Sequence, residues 1–223
     1  NHSDFDTVES NISEGDGISI AFANNFTLTN FYGLDPDDDG IDIEDSTNVT
    51  VIYAFLDGTD FDSIEIDDSI GINVSYTNIT DSNDDGIDID DADNLMFDNL
   101  RILDSNDMGI DADNATNTNL TNSLIYNNTN DDGVYFYGGS HNLYLFNVNA
   151  SNNGANGLLI KDTDNITIIN SYTHENAGDG VDLQDSSEPV IILNLQSYSN
   201  ADDGMYLESS NHVNITSSFF LNN

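Results

Sequence analysis

Acidic side chains recur at fixed intervals in this sequence, and their type and spacing define the chemistry open to the chain. It carries 42 acidic residues and two basic ones, for a formal net charge of −40. Four successive segments place carboxylates at alternate positions: Asp42 and Glu44, Glu65 and Asp67, Asp88 and Asp90, Asp111 and Asp113. Asp39 and Asp85 stand in the acidic turns before two of these segments. Carboxylate oxygens suit Ca²⁺, and paired carboxyl groups cleave glycosidic bonds.

The same charge excludes several classes of partner. Nucleic acids and anionic membrane surfaces are bound by clusters of Lys and Arg, whereas this chain has only Arg101 and Lys161. No run of 18 apolar residues is present to insert into a membrane. The chain has no cysteine, so disulfides and Cys-based zinc or redox sites are absent. Acidic chains are often disordered, but this one is 37% hydrophobic and its apolar residues recur regularly.

The acidic segments belong to an internal repeat of 23 or 24 residues. Each repeat begins with a small residue, followed by an apolar, a polar and an apolar residue. These small residues are Gly17, Gly40, Ser63, Gly86, Gly109, Gly133, Gly157, Gly180 and Gly204. With each of them as position zero, positions one, three, nine and eleven are apolar, and a weaker apolar pair falls at fourteen and sixteen. Alternation with period two predicts strands with one buried face, so each repeat contributes three short strands.

Stacked repeats of this kind predict an all-β solenoid of about nine coils. A helical repeat would show a period of 3.6, and a leucine-rich repeat would show a Leu-x-x-Leu-x-Leu frame; the sequence has neither. At ~4.8 Å per stacked strand, nine coils make a rod of about 43 Å. We expect Ile41, Ile64 and Ile87 to lie above one another in a shared interior.

The repeat frame resembles a known family. The segments GIDIEDSTNVTV at 40–51 and GLLIKDTDNITI at 157–168 are similar to the parallel β-helix repeat of the pectate-lyase-like superfamily. The resemblance spans nearly the whole chain and implies a right-handed, single-stranded parallel β-helix. It implies little about function, because that superfamily includes lyases, hydrolases, epimerases, adhesins and surface proteins.

Stacking places equivalent carboxylates about 5 Å apart. At that spacing, neighbouring like charges repel by on the order of 1 kcal/mol in water and about 3–4 kcal/mol at an effective dielectric of 20. Two explanations stay open. One is diffuse screening in a high-salt habitat, where the Debye length is ~3 Å at 1 M. The other is specific Ca²⁺ binding, for which the candidate ligands are Asp39, Asp42, Glu44, Glu65, Asp67, Asp85, Asp88, Asp90, Asp111 and Asp113.

Asparagine recurs at positions eight and thirteen of the repeat. This residue tolerates left-handed turns, and its amide can hydrogen-bond the next Asn in a stack. Several Asn begin N-x-S/T sequons, and we expect the position-eight members, such as Asn48 and Asn165, to face inward. Sequons predicted to lie outside, and therefore to carry N-glycans in a secreted chain, are Asn73, Asn78, Asn114, Asn119, Asn127 and Asn149.

The sequence argues against catalysis. Pectate-lyase-like enzymes commonly need a basic residue near Ca²⁺, but Arg101 and Lys161 fall on different strands three coils apart. Enzymes of this fold usually carry long insertions that wall a substrate groove, whereas coil length here varies by one residue. Acidic pairs recur throughout the chain, so their presence does not discriminate a hydrolase. We therefore predict no enzymatic activity; a polysaccharide lyase or hydrolase is the alternative.

The sequence predicts one solenoid domain over residues 1–223, without a cap at either end, because both ends read as mid-coil cuts. Such ends indicate either a piece of a longer solenoid or subunits that self-associate, end to end or laterally. The main functional prediction is an extracellular structural protein of a microbial cell surface, a filament, sheath or envelope component from an archaeon or another salt-adapted microbe. It is acidic, N-glycosylated and bound to cations. The alternative is a carbohydrate-active or carbohydrate-binding β-helix: a polysaccharide lyase, hydrolase or adhesin.

Overall fold

Parallel strands stack into one coiled rod, as the repeat predicts. A computed structural model describes residues 3–11 and 15–223, and in that part of the chain all regular structure is β-strand. Each coil runs through three strands before the chain returns to pair with the coil below, so every strand pairing between coils is parallel. The predicted all-β solenoid of about nine coils is therefore confirmed.

The first strand of each coil belongs to a nine-stranded sheet. Its members are β2 (Ile18–Ala21), β4 (Ile41–Glu44), β7 (Ile64–Asp67), β10 (Ile87–Asp90), β13 (Ile110–Asp113), β16 (Val134–Tyr137), β19 (Leu158–Lys161), β22 (Val181–Gln184) and β25 (Met205–Glu208). Their register pairs position one with position one and position two with position two along the stack. Equivalent side chains therefore form columns on this sheet.

The second and third strands share a larger sheet, because β3 runs through both positions. The second-position strands are β1 (Ser3–Asn11), β3 (Asn24–Leu34), β5 (Thr47–Ile52), β8 (Asn73–Ser75), β11 (Met96–Asp98), β14 (Asn119–Thr121), β17 (His141–Phe146), β20 (Asp164–Ile169), β23 (Val190–Leu193) and β26 (Val213–Thr216). The third-position strands are β6 (Phe55–Asp57), β9 (Asn78–Thr80), β12 (Arg101–Leu103), β15 (Leu124–Tyr126), β18 (Asn149–Ser151), β21 (Tyr172–His174), β24 (Gln196–Tyr198) and β27 (Phe219–Leu221).

The core is a stack of aliphatic side chains. Ile41, Ile64 and Ile87 are paired in register and fully buried, as predicted. Burying one such side chain stabilises the fold by roughly 1.5–3 kcal/mol, and every internal coil buries several. The small residue at position zero is needed where coils touch: a Cβ at Gly109 would lie 2.5 Å from the carbonyl oxygen of Gly133.

Left-handed backbone residues turn the chain at the corners. Positions five, eight, thirteen and eighteen of most coils have positive φ, for example Asp45 (φ 48°), Asn48 (φ 56°) and Asn99 (φ 54°). Asn and Asp tolerate this conformation better than other side chains, which explains why they recur there. The predicted amide ladder is present: Asn165 Nδ2 donates to Asn142 Oδ1 at 2.6 Å. The position-eight Asn side chains nevertheless point outward, so the prediction that Asn48 and Asn165 face inward is wrong.

A second Asn ladder lies inside the rod. Asn128, Asn153 and Asn176 are at most 2% exposed, and the side chain of each donates to Oδ1 of the next Asn up the stack at 2.9–3.0 Å. Each Oδ1 also accepts the backbone N–H of the coil below. Because buried amides without partners are costly, this ladder holds neighbouring coils in one register.

Candidate functional site: the acidic face

The outer surface of the nine-stranded sheet carries most of the clustered carboxylates. We call it the acidic face: the outward side chains of its strands, together with the turn residues that come directly before each strand. On successive strands β4, β7, β10 and β13, position two is occupied by Asp42, Glu65, Asp88 and Asp111, and the pairing register stacks them. The predicted column of acidic side chains is therefore present.

Three groups of carboxylates converge on this face, each with oxygen atoms within 4.8 Å of one another. They are Asp16, Asp38 and Asp39; Asp62, Asp84 and Asp85; and Asp85, Asp88 and Asp111. Asp85 belongs to two of them, so five carboxyl groups form one continuous cluster across three coils. Each group combines residues from the turn before a strand with residues from a neighbouring turn or from position two.

The turn carboxylates are tied to the backbone. The backbone N–H of Asp62 donates to Asp39 Oδ1 at 2.9 Å, and the N–H of Asp85 donates to Asp62 Oδ1 at 2.8 Å. Met108 repeats the contact with Asp85 Oδ1 at 2.6 Å. These hydrogen bonds satisfy backbone donors that would otherwise be buried without partners, and they draw the turn side chains inward. Asp39 and Asp85 are accordingly more than nine-tenths buried.

Burial raises the pKa of the clustered carboxyl groups. Desolvation is the largest cause at Asp62 and Asp111, where it and neighbouring carboxylates raise the pKa to about 7. The pKa of Asp85 rises to about 8, mainly through burial. The pKa of Glu65 also rises to about 8, first through burial and then through its hydrogen bond to Asp39. Near neutral pH, the face therefore holds both protonated and ionised carboxyl groups within a few ångströms.

Aromatic rings follow the carboxylates on the same face. At position two the column continues from Asp111 to Tyr135, and at position four from Asp113 to Tyr137. The two tyrosine rings stack with centroids 4.4 Å apart and planes 18° apart. Lys161 lies at position four of the next strand. An acidic cluster thus adjoins a flat aromatic pair and one of the two basic side chains.

The structure divides the predicted metal ligands into two sets. Asp39, Asp85, Asp88 and Asp111 take part in the converging groups, and Glu65 contacts Asp39. Asp42 and the position-four residues Glu44, Asp67, Asp90 and Asp113 belong to none of the groups found in the described part of the chain. Position four lies at the far end of each strand from the turn carboxylates, which explains the separation. Cation binding by these residues stays a prediction.

Sequence reasoning missed several members of the clusters. Asp16, Asp38, Asp62 and Asp84 all converge with other carboxylates but were not among the predicted ligands. A signal was available for Asp62, because it precedes Ser63 as Asp39 precedes Gly40 and Asp85 precedes Gly86. The convergence of two turn residues depends on side-chain directions that the spacing does not define.

The predicted glycosylation sites lie outside the core, and they differ in exposure and in their hydrogen bonds to neighbouring coils. Asn119 is exposed, and Asn73, Asn78 and Asn149 are partly exposed. The side-chain nitrogens of Asn114 and Asn127 donate to Asp91 and Asp104 of the coil below, so attaching a glycan to either would break a contact between coils. Glycan occupancy stays a prediction at all six.

Comparison with known proteins agrees with this architecture. The family model described as a right-handed β-helix region matches residues 16–160 and 114–223. The chain belongs to the right-handed β-helix family. Membership confirms the predicted handedness and the resemblance drawn from the repeat frame. No curated protein matches the sequence. Within residues 3–11 and 15–223, this β-helix has no helical segment with the length and apolar character needed to cross a membrane.

Several solved structures share the fold at low sequence identity. The periplasmic alginate epimerase AlgG is 14% identical, with a TM-score of 0.69 over 92% of this chain and 60% of that one. The A-module of the mannuronan C-5 epimerase AlgE4 from Azotobacter vinelandii is 17% identical, with a TM-score of 0.71 over 86% and 59%. Tailspike protein 2 of an Escherichia coli O157:H7 bacteriophage is 13% identical, with a TM-score of 0.63 over 92% and 34%. The β-helix thus spans about 60% or less of each of these neighbours.

Proposed function

We propose that this β-helix is an extracellular carbohydrate-active protein whose acidic face binds a polysaccharide along the rod and cleaves its glycosidic bonds. One observation carries the proposal: Asp88 and Asp111, whose carboxyl oxygens lie within 4.8 Å of each other, are followed on the same face by the stacked pair Tyr135 and Tyr137. Acid–base groups beside an aromatic platform are what a sugar ring needs for binding and cleavage.

The two carboxyl groups suit different roles. Asp111 has a pKa raised to about 7, chiefly by burial and then by the Asp88 charge, so near neutrality it can donate a proton to a leaving oxygen. Asp88 lies beside it on the adjacent strand; burial raises the pKa of Asp88 as well, and in its ionised form this carboxylate attacks the sugar or activates water. A separation below about 5 Å is closer to the pair of a retaining enzyme than to the wider pair of an inverting one. Asp85 is held by the Met108 N–H and positions the pair.

Charge indicates the substrate class. A net charge of −40 repels polyanions, and salt screens that repulsion only beyond about 8 Å under physiological conditions. Two ionised carboxylates 4.8 Å apart already repel by about 3.5 kcal/mol at an effective dielectric of 20. We therefore infer a neutral polysaccharide, whose hydroxyl groups donate to the carboxylates while its ring faces lie on the tyrosines.

Similarity supports a carbohydrate-active role over the structural role predicted from the sequence. The neighbours with the same fold include proteins named as epimerases of alginate and mannuronan and a phage tailspike. These neighbours are only 13–17% identical to this chain, so the similarity shows a shared fold alone. The support for cleavage comes from the carboxyl groups and tyrosine rings of the acidic face.

The test is a pair of isosteric substitutions. Asp111→Asn removes the proton donor and is expected to lower reducing-end release from the cleaved polysaccharide by about 10²–10⁴-fold, with the fold intact. Asp113→Asn, two residues along the same strand and outside the converging groups, is the matched control and is expected to retain activity. Full activity in Asp111→Asn, or no release by the unaltered protein from any neutral polysaccharide offered, would contradict the proposal.

A second candidate is the surface filament or sheath predicted from the sequence. The observation that favours it is the uniformity of the coils, whose lengths vary by one residue and which, from residue 15 onward, raise no long loop beside the acidic face. In that role the clustered carboxylates hold divalent cations such as Ca²⁺ and the rods associate end to end or laterally. The two candidates differ in the occupant of the acidic face, a sugar chain or a cation.

A further inference from the structure

One corner of the rod carries aromatic side chains where six other coils have asparagine. Position thirteen turns the chain between the second and third strands, and Asn30, Asn99, Asn122, Asn147, Asn170 and Asn194 occupy it with positive φ. In two adjacent coils the residue is instead Tyr53 (φ 59°) and Tyr76 (φ 53°). The two rings lie beside each other, with centroids 5.2 Å apart.

This placement is unfavourable for the fold alone. Left-handed backbone is uncommon for any residue but Gly, Asn and Asp, and a bulky side chain there is an outlier. Such outliers are characteristic of functional sites. Packing does not compensate, because Tyr53 is 54% exposed and Tyr76 is 51% exposed. Asn at these two positions would continue the ladder of the other coils.

The neighbouring column enlarges the aromatic surface. Position fifteen, two residues along and also facing outward, holds Tyr32 and Phe55, whose ring centroids are 6.5 Å apart. We call Tyr32, Phe55, Tyr53 and Tyr76 the aromatic edge. It covers three coils and lies on the large sheet, separate from the carboxylate groups of the acidic face.

A shallow groove with a mixed polar and apolar lining continues from the aromatic edge along the rod. It has a volume of about 440 Å³, and its lining includes Arg101, Leu124, Asn149 and Tyr172, which stack in register at position fifteen. Arg101 donates to Asn78 Oδ1 at 3.1 Å. No carboxylate oxygen in the described part of the chain lies within ion-pair distance of its guanidinium, although the protein has 42 acidic residues.

Unused hydrogen-bonding capacity lies in the same groove. The guanidinium of Arg101 has five N–H donors, and one hydrogen bond to Asn78 leaves most of them available. Asn149 Oδ1 is buried and has no hydrogen-bond partner. That oxygen is closed to a ligand, whereas the Asn149 side chain as a whole is partly exposed, and its N–H₂ group can donate to a ligand hydroxyl. Along this column the rings of Tyr32 and Phe55 are therefore followed by the polar side chains of Asn78 and Arg101.

We propose that the aromatic edge and the groove beyond it form a binding site for a linear polysaccharide lying parallel to the rod axis. Sugar rings present apolar C–H faces to the tyrosines and hydroxyl edges to Arg101 and Asn149. A protein partner fits less well, because the rings form a narrow strip that polar groups continue, rather than a broad apolar patch. This site is independent of the cleavage proposed for the acidic face, and it would hold the chain on its substrate.

The asparagines at position thirteen of the other coils suggest the substitution that tests this proposal. The double variant Tyr53→Asn/Tyr76→Asn gives both corners the residue that six other coils use, so its melting temperature is expected to be unchanged or higher. Binding to insoluble cellulose, chitin, xylan and mannan, measured by co-sedimentation, is expected to weaken at least tenfold. The protein is produced without N-glycans, because sequons begin at Asn149, which lines the groove, and at Asn78, which contacts Arg101.

Two controls separate binding from folding. Phe22→Asn removes another exposed aromatic with positive φ (54°) at a different corner, and it is expected to leave binding intact. Arg101→Gln is expected to weaken binding without lowering the melting temperature. The proposal is overturned if the unaltered protein binds none of the four polysaccharides, if the double variant binds as well as the unaltered protein, or if it melts lower. Loss of self-association in place of glycan binding would assign the edge to a protein partner.

Discussion

The carboxyl group of Asp132 gives the sharpest test of the electrostatics of the acidic face. This side chain is 2% exposed, and its Oδ1 accepts the backbone N–H of Asn156 at 2.6 Å. Burial, followed by the charge of Asp131, raises its pKa to about 7. In the next coil Asn156 occupies the equivalent position and accepts the N–H of Asp179 at 2.8 Å. Asp132→Asn therefore keeps the acceptor and removes the charge.

The expected change in stability follows from the raised pKa of Asp132. A carboxyl whose pKa is raised on folding contributes stability below its unfolded value of 3.8, and that contribution is lost as the pH rises through about 7. The rise in pKa from 3.8 to about 7 corresponds to about 4 kcal/mol of destabilisation at pH 8, at 1.36 kcal/mol per pKa unit. Asp132→Asn relieves most of this. For a chain of this size we expect a rise of about 5–15 °C in melting temperature at pH 8.

The assay is thermal unfolding by circular dichroism at pH 5 and pH 8 in low salt with chelator. Near pH 5 the Asp132 carboxyl is protonated in the folded state but already ionised in the unfolded state, whose pKa is 3.8. The destabilisation there is roughly 1–2 kcal/mol, so the variant should gain less than half as much as at pH 8. Asp93→Asn is the control of opposite sign, because hydrogen bonds from Thr116 and Asn117 lower the pKa of Asp93. Removing the Asp93 charge should destabilise the protein at pH 8. An Asp132→Asn variant that melts at or below the unaltered protein at pH 8 refutes the reasoning.

Two further predictions concern the alternative occupants and assemblies. Millimolar Ca²⁺ should raise the melting temperature at pH 8 and low salt, and a chelator should reverse the rise. The reason is that a cation bound between Asp85, Asp88 and Asp111 replaces the repulsion of their carboxylates with ligation. An unchanged melting temperature would contradict the calcium prediction. Electron microscopy of purified protein should show fibres or lattices if the rod is a structural surface element, whereas discrete particles contradict that role.

The one-dimensional pattern was sufficient to predict the coil. A period of 23 or 24 residues, with apolar side chains at alternate positions, has few solutions other than stacked parallel strands, because each repeat must bury its apolar face against the next. Ile41, Ile64 and Ile87 lie where that argument places them. The preference of Asn and Asp for left-handed turns likewise predicts several corners of the coil.

Features that depend on side-chain direction were not predictable in this way. The outward orientation of Asn48 and the buried ladder of Asn128 and Asn153 use the same residue type in opposite environments, and composition does not distinguish them. The difference arises from where each Asn falls relative to the corner of the coil. A residue at the tip of a turn points to solvent, and one past the turn returns to the interior.

The amino-acid sequence by itself determined the period, the strands, the columns of like residues and the density of carboxylates. Only the tertiary structure decided which carboxylates meet. Asp62 and Asp85 move inward because their oxygens satisfy backbone N–H groups of adjacent coils, and that burial raises their pKa. Position-four carboxylates such as Asp90 accept no such bond in the described chain and stay outside the clusters. Spacing is a property of the chain, whereas desolvation depends on what the folded coils place around each group.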